Sequence, residues 1–281
     1  MVKYTIGDAL KKGIALLNEN KIENPGLDAR ILLCSVINCD SLHLTIRRDE
    51  ELSTDDVKKY FSNIERRCNK EPVGYIVEKK EFMSLDFKIN HNVLIPRPDT
   101  EILVERAIQE LENKQSITVI DMCTGSGAIA VSLAKYLPGS VVYGLDISSD
   151  ALELARHNAY ANGVNVTFDI HNVLTPYKGP IADAVISNPP YIPCGDIANL
   201  DVDVAGFEPH LALDGGDDGL DFYRAIVENI HTCLKKGGLL AFELGMGQAD
   251  DVRMIMANKF EKVSTDCDLA GIERVIYGFL K

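Results

Sequence analysis

The spacing of hydrophobic residues differs between the first 72 residues and the rest of the chain. In residues 1–72 the apolar positions recur at helical spacing, starting with Ile6 and Ala9, and no strand-like alternation interrupts them. Asn24-Pro25 is a start signal for a second helix, and a third is predicted over Thr54–Cys68. Residues 1–72 are therefore predicted to form a small helical bundle.

The pattern changes in residues 73–95. Apolar and polar residues alternate from Phe82 to Ile89, which is typical of a β-hairpin. The following stretch, Leu94-Ile95-Pro96, is stiffened by proline and opens a helix that should run to about Asn113. We interpret residues 73–95 as a hairpin linker and residues 96–281 as a second domain.

Short apolar runs alternate with helical segments throughout residues 96–281. This alternation favours a mainly parallel, doubly wound α/β sheet of the Rossmann-like type. The last two strands are separated only by Leu269–Ile272, too short for a crossover helix, so they should form an antiparallel hairpin. By analogy between folds, such a sheet fits a methyltransferase better than a dehydrogenase. The predicted strands are Thr118–Asp121, Val141–Asp146, Val164–Phe168, Ala182–Ser187, Leu239–Leu244, Lys262–Asp266 and Val275–Leu280, and the helices are Ala128–Tyr136, Ser149–Asn162, Leu220–Lys235 and Gln248–Lys259.

Composition is that of a globular protein, with 46% hydrophobic and 25% charged residues. No apolar stretch reaches about 18 residues, so no membrane span is expected. Met1–Thr5 lacks the apolar core of a signal peptide. The seven cysteines include no C-x-x-C pair, which indicates reduced core thiols in a cytoplasmic protein. No His/Cys cluster has ligand spacing, and no metal site is expected.

The formal net charge of −13 is unevenly distributed. Residues 1–85 hold 14 basic and 14 acidic side chains, whereas residues 86–281 hold 15 basic and 28 acidic ones. The second region therefore carries the whole excess. Because such a field repels a polyanion, tight binding of DNA or RNA is not expected.

The first candidate site is a glycine loop between a strand and a helix. Asp121 ends the strand, and the next strand ends in Asp146, followed by Ile147. An acidic residue at that place can accept from both ribose hydroxyls of an adenosine cofactor, while Asp121 can serve the loop or a cofactor ammonium group. Ala130 breaks the G-x-G-x-x-G pattern, which disfavours NAD; S-adenosylmethionine needs no pyrophosphate site. The alternative is a purely structural turn. The loop itself is Cys123, Thr124, Gly125, Ser126 and Gly127.

Two residues after the third predicted strand extend this site. Asn172 and Val173 stand where sheets of this kind contact an adenine ring, the first by hydrogen bonding and the second by packing. A surface turn explains them equally well.

The second candidate site is the tetrapeptide Asn188-Pro189-Pro190-Tyr191, directly after an apolar strand. Its prolines make a rigid, non-helical loop at the end of the sheet where ligands bind. The Asn188 carboxamide and the Pro189 carbonyl can accept the two hydrogens of a planar –NH2 group, and the Tyr191 ring can stack on its plane. The alternative is a stiff turn with a solvent-facing tyrosine.

Taken together, these motifs resemble the release-factor glutamine methyltransferases of the HemK/PrmC type. The resemblance covers nearly the whole chain, including the helical region and the hairpin. The tetrapeptide is shared with adenine-N6 and cytosine-N4 DNA methyltransferases, whereas the later motifs are more specific. The matching stretches are Ile95–Glu101, Asp121–Gly127, Asp146, Asn188–Tyr191, Phe207-Glu208-Pro209, Ala212-Leu213 and Gly219-Leu220.

The resemblance implies S-adenosylmethionine as methyl donor and, as acceptor, the side-chain amide of the Gln in the Gly-Gly-Gln loop of peptide-chain release factors. It assigns the methionine end of the cofactor to Thr124–Gly127 and the ribose to Asp146. It assigns the acceptor amide to the loop Asn188–Tyr191. Because residues 1–72 hold no acid–base cluster and the cofactor motif begins only at Asp121, we predict that they recognise the protein substrate. Cys123 departs from the family's usual Gly, and Asn172-Val173 departs from an Asp followed by a bulkier residue.

Two other functions compete with this interpretation. A DNA or RNA exocyclic-amine methyltransferase of the adenine-N6 type acts on the same flat –NH2 group, but it needs base extrusion and phosphate contacts. The acidic charge counts against it. A non-catalytic binding module on the same sheet is disfavoured because both loops are intact.

Overall fold

The computed structural model describes residues 3–281. Met1 and Val2, which belong to the segment predicted to lack a signal-peptide core, lie outside the described residues. The helices are α1 (Ile6–Glu19), α2 (Pro25–Ile37), α3 (Ser41–Ile46), α4 (Thr54–Cys68), α5 (Val73–Val77), α6 (Pro98–Leu111), α7 (Ala128–Tyr136), α8 (Ser149–Ala161), α9 (Val202–Ala205), α10 (Asp221–Asn229) and α11 (Ala249–Met256). The strands are β1 (Lys79–Phe82), β2 (Leu85–Lys88), β3 (Thr118–Met122), β4 (Val141–Asp146), β5 (Val166–Ile170), β6 (Ala182–Ser187), β7 (Leu234–Glu243), β8 (Phe260–Cys267) and β9 (Glu273–Leu280).

The chain forms two compact units. The helical unit comprises the residues up to Glu78 together with Asp201–Phe207, and the sheet unit comprises Lys79–Leu200 and Glu208–Lys281. The boundary places α5 in the helical unit and the hairpin β1–β2 in the sheet unit. The segment 73–95 that the sequence predicted as a linker is thus divided between the two.

The helical unit is built on α1, α2 and α4. Thr5 caps α1 by accepting from the Asp8 backbone at 3.1 Å, and Ser53 caps α4 in the same way. Tyr60 and Ile64 of α4 are buried in its core. The side chains of Arg67 and Asp28 form a buried ion pair at 2.7 Å.

The sheet unit holds seven strands in the order β5-β4-β3-β6-β7-β9-β8. Pairing is parallel from β5 to β7, and β9 is antiparallel to both β7 and β8. The predicted doubly wound sheet with an antiparallel C-terminal hairpin is confirmed. The chain order reverses between β3 and β6, which makes their carboxyl ends the switch point where ligands bind in such sheets.

The central strands are buried on both faces. Along β3, Val119 packs against the core beneath α6, α7 and α8, whereas the next residue, Ile120, packs on the opposite side with α10 and α11. Burial on both faces explains why these strands appear in the sequence as continuous apolar runs.

Several predicted elements have different bounds, and two of the differences have a clear physical cause. The helix predicted over Leu220–Lys235 ends at Asn229, because residues from Leu234 onward pair with β6 and sheet pairing overrides helix propensity. Strand β5 starts two residues later than predicted, because the Val164 amide still donates to Ala159 and closes the end of α8. Within residues 3–281 there is no helix with both the length and the apolar character needed to cross a membrane.

Candidate active site

A cavity of about 360 Å³ lies at the carboxyl ends of β3, β4 and β6. Both candidate sites open onto it, since its walls come from the glycine loop and the residues after β4 and β5 on one side and from the tetrapeptide on the other. The predicted residues that line it are Cys123, Thr124, Gly125, Ser126, Asp146, Ile147, Asn172, Val173, Asn188 and Pro190. Four other predicted site residues, all within the described part of the chain, do not line it: Asp121, Gly127, Pro189 and Tyr191.

Asp146 closes the glycine loop onto the end of β4. One carboxylate oxygen accepts from the Gly125 backbone at 2.8 Å, and the other accepts from the Ser148 backbone at 2.9 Å. Burial raises the pKa of Asp146, while these backbone hydrogen bonds oppose the shift. Each oxygen has a second lone pair, so the carboxylate can still accept from a ligand in the cavity.

Asp121 supports the loop from below. Its carboxylate accepts from the Thr124 hydroxyl at 2.5 Å and from the Ala130 backbone at 3.1 Å, so it joins the loop to the first turn of α7. The side chain is fully buried, and burial raises the pKa of Asp121 to about 7. Of its two possible roles, the one visible in the structure is holding the loop.

Backbone conformation explains the two loop glycines and makes Cys123 unusual. Gly127 has a φ of +80°, and a Cβ there would lie 3.0 Å from that of Ala155 on α8. Gly125 also has a positive φ, of +53°. Cys123 has a φ of +60°, in the left-handed region where an L side chain is strained.

This strain gives the first prediction. Cys123→Gly should be more stable than Cys123→Ala by roughly 1 kcal/mol, because both remove the thiol but only glycine relieves the backbone. Urea unfolding of the two variants measures the difference. Equal stability, or a more stable alanine variant, would show that the left-handed conformation at Cys123 carries no measurable cost.

The candidate acceptor loop, Asn188–Tyr191, is fixed by hydrogen bonds on both sides of its prolines. The Asn188 side-chain amide donates to the Thr100 hydroxyl at 3.3 Å. The Tyr191 hydroxyl donates to the Glu243 carboxylate at 3.4 Å, and the Tyr191 carbonyl accepts from the Gln248 side chain at 2.9 Å. The Tyr191 ring packs against the core formed with α10 and α11, and burial raises its pKa. The tyrosine therefore does not simply face solvent.

An ion pair beside the cavity connects two of the motif segments, Ile95–Glu101 and Phe207-Glu208-Pro209. The Arg97 guanidinium forms an ion pair with the buried Glu208 carboxylate. Their neighbours Pro96 and Pro209 both line the cavity. The ion pair therefore connects two of its walls.

Sequence reasoning did not single out Thr100 or Glu243. Thr100 lies in the first turn of α6, and its hydroxyl has no signal of its own in the sequence. Glu243 ends β7, and Asp121 and Asp146 likewise lie at or next to the ends of β3 and β4, so an acidic residue at that position was a usable signal. Asn158 was also missed: from α8 it bonds to Ser126 and to both backbone groups of Lys88.

The lining fits S-adenosylmethionine and does not fit a pyrophosphate. No Lys or Arg occurs among the described residues that line the cavity. A phosphate group would call for such side chains, whereas the sulfonium and ammonium groups of S-adenosylmethionine are cations and do not. Val173 and Ala151 offer apolar surface for a flat ring.

Two family models match separate parts of the chain. The model of the PrmC N-terminal domain matches residues 8–77, and that of the methyltransferase small domain matches residues 99–200. A solved methyltransferase from Pyrococcus furiosus shares the fold with a TM-score of 0.55 at 17% identity, covering 78% of this chain and 98% of the other. Fold and site together define an S-adenosylmethionine-dependent methyltransferase.

Curated relatives identify the family. A release factor glutamine methyltransferase from Clostridium acetobutylicum is 42% identical over 276 residues, covering 96% of this chain and 97% of the relative. One from Moorella thermoacetica is 41% identical over 281 residues, covering 98% of each chain. The chain belongs to the family of release factor glutamine methyltransferases.

Proposed function

We propose that the protein transfers a methyl group from S-adenosylmethionine to the side-chain amide nitrogen of the glutamine in the Gly-Gly-Gln loop of peptide-chain release factors. The observation that carries the proposal is that Asn188 and the glycine loop line the same cavity. Family membership supports the choice of acceptor, since the relatives are named for it. The free cysteines favour a cytoplasmic location.

The acceptor is a poor nucleophile because the amide lone pair is delocalised into its carbonyl. The cofactor supplies a methyl group already activated by a sulfonium with a neutral leaving group. The Asn188 side-chain oxygen and the Pro189 carbonyl would accept both amide hydrogens, which draws electron density onto the nitrogen and fixes its direction of approach. Most of the rate would come from orientation and electrostatics.

A strong base next to the acceptor is not part of this proposal. Asp146 and His171 line the cavity, but they lie at the ends of β4 and β5, and strand β3 separates these strands from β6, which Asn188 follows. Burial also lowers the pKa of His171, which favours its neutral form. The amide proton can leave after methyl transfer, when the nitrogen has become acidic.

A methyl-transfer assay tests the proposed function. Labelled S-adenosylmethionine should mark intact release factor and should not mark a release factor whose Gly-Gly-Gln glutamine is replaced by alanine. DNA and RNA oligonucleotides test the alternative exocyclic-amine activity, which the absence of Lys and Arg among the described lining residues disfavours. Labelling of an oligonucleotide, with none on release factor, would replace the proposal by that alternative.

We further propose that the helical unit positions the protein substrate and takes no part in the chemistry, because the described residues that line the cavity all belong to the sheet unit. A shortened chain beginning at Lys79 should still bind cofactor and should methylate release factor at least tenfold more slowly, since docking energy lost on the substrate side lowers the population of productive complexes. Calorimetry and the methyl-transfer assay measure the two properties. Full-rate methylation of intact release factor would disprove the positioning role.

A further inference from the structure

Glu243 and Asn188 occupy corresponding places on neighbouring strands. Ser187 at the end of β6 is paired with Phe242 of β7. Asn188 and Glu243 are the residues that come directly after this pair. Glu243 is only 2% exposed, although glutamate is rarely buried. A buried carboxyl behind the acceptor loop needs a structural or chemical explanation.

The contacts of Glu243 connect it to the acceptor loop. One carboxylate oxygen accepts from the Tyr191 hydroxyl at 3.4 Å. The Thr100 hydroxyl is near enough to the carboxyl to favour its ionised form. The other oxygen, Oε2, is buried and accepts no hydrogen bond from the described residues, so the carboxyl retains capacity to accept. The same Thr100 hydroxyl accepts from the Asn188 side-chain amide at 3.3 Å.

We propose that Glu243 is a positioning residue that, as a carboxylate, fixes the direction of the hydrogen bonds from Thr100 and Asn188. The inference deepens the proposed methyl transfer and rests on it. It assigns Glu243 no contact with substrate or cofactor, since Glu243 is not among the described residues that line the cavity.

The number of available hydrogens fixes the direction of each hydrogen bond. An ionised carboxylate only accepts, so Thr100 must donate its single hydroxyl hydrogen to Glu243. The Thr100 oxygen can then only accept, and Asn188 must present its –NH2 group to it. This leaves the Asn188 oxygen free for the hydrogens of the acceptor amide. These hydrogen bonds form a relay from Asn188 through Thr100 to Glu243. A protonated Glu243 can itself donate, and the direction of the relay is then no longer fixed.

The charges around Glu243 place its ionisation near neutral pH. Burial raises the pKa of Glu243 to about 7; Thr100, Tyr191 and Arg274 favour the charged form, and Asp99 opposes it. Tyr223 also faces this residue, but its hydroxyl donates to the backbone carbonyl at 2.8 Å and not to the carboxyl. The carboxylate that the relay needs is therefore formed as pH rises through about 7.

The first test uses the protein alone and reads the side-chain amide of Asn188 by NMR. In the wild type, that resonance should titrate with the same midpoint as the Glu243 carboxyl carbon. The titration should vanish in Glu243→Gln and in Thr100→Val, which lack the carboxylate and the hydroxyl. It should persist in Tyr223→Phe, the matched control. An Asn188 amide that shows no dependence on Glu243 would overturn the relay whatever the substrate is.

The pH dependence of folding stability is a second measurement. A buried glutamate with no positioning role would show it too, so it tests only whether Glu243 titrates in the folded protein. Because the folded-state pKa of Glu243 lies above its unfolded value, its contribution to stability is full at low pH and is lost as pH rises through about 7. Glu243→Gln should therefore gain stability relative to wild type between pH 5 and pH 8. Constant relative stability would mean that Glu243 does not titrate as required, which would also overturn the relay.

Kinetics supply the third test. Glu243→Gln should lower kcat roughly 10- to 100-fold, the range for losing a hydrogen bond to a charged group, and should remove the rise of kcat with pH. Thr100→Val should have a similar effect, and the double variant should be no worse than either single one, since both break the same relay. Multiplicative effects, or a pH limb retained in Glu243→Gln, would refute it. If wild type methylates no release factor, the proposed function fails, while the NMR result still decides the relay.

Discussion

Replacing Asn188 by alanine is expected to slow methyl transfer by roughly 100-fold while leaving cofactor affinity near the wild-type value. The substitution deletes one of the two acceptors proposed for the amide hydrogens, and one such transition-state contact typically accounts for about 3 kcal/mol. The prolines of the loop remain, so the backbone should keep its path. Single-turnover kinetics at saturating cofactor measures the chemical step, and calorimetry measures affinity.

Asn188→Asp is the sharper form of this experiment. Aspartate keeps an acceptor oxygen but cannot donate, and the Asn188 amide donates to Thr100. A carboxylate there would also add negative charge beside the buried Glu243. Asn188→Asp should therefore be as poor as Asn188→Ala. Near-normal rates in both variants would show that Asn188 is only a turn residue and that the acceptor site lies elsewhere.

Asp146→Ala should weaken binding of S-adenosylmethionine by about 10- to 100-fold. We expect the carboxylate to accept from two ribose hydroxyls, and the change also leaves the Gly125 and Ser148 amides without their present acceptor. Calorimetry gives the affinity directly, and the thermal midpoint shows whether the loop still folds.

Asp150→Ala is the matched control, because it removes the same charge from an exposed position four residues along the chain. Its cofactor affinity should remain within about twofold of wild type, since exposed charges are screened. Wild-type affinity in Asp146→Ala would remove Asp146 from the cofactor site. An equal loss in both variants would attribute the effect to net charge.

Elements with strong local signals were predictable from the sequence. Helix α7 and strands β4 and β6 have the bounds that hydrophobic periodicity and the flanking glycines indicated. Ends set by long-range pairing were not: β7 begins at Leu234, inside the predicted helix, because it finds a partner in β6. The short helix α5 was missed, since its five residues carry too little periodicity to be detected.

The candidate site shows the same division. Most of the predicted cofactor residues, from Cys123 to Val173, line one cavity with Asn188, and motif spacing was enough to name them. Their individual roles toward cofactor and substrate stay predictions. The sequence did not show that Asp146 lines the cavity whereas Asp121 is buried behind the glycine loop, because both are acidic residues near strand ends.

The sequence by itself determined the order of helices and strands, the parallel sheet and the two loops that carry chemistry, because these depend on local periodicity and on residues adjacent in the chain. Only the tertiary structure decided which polar groups meet. Glu243 lies 55 positions beyond Asn188 in the sequence, yet strand register puts them side by side, with Thr100 of α6 between their side chains. Register arises from packing of the whole sheet, so no local pattern records which side chains become neighbours.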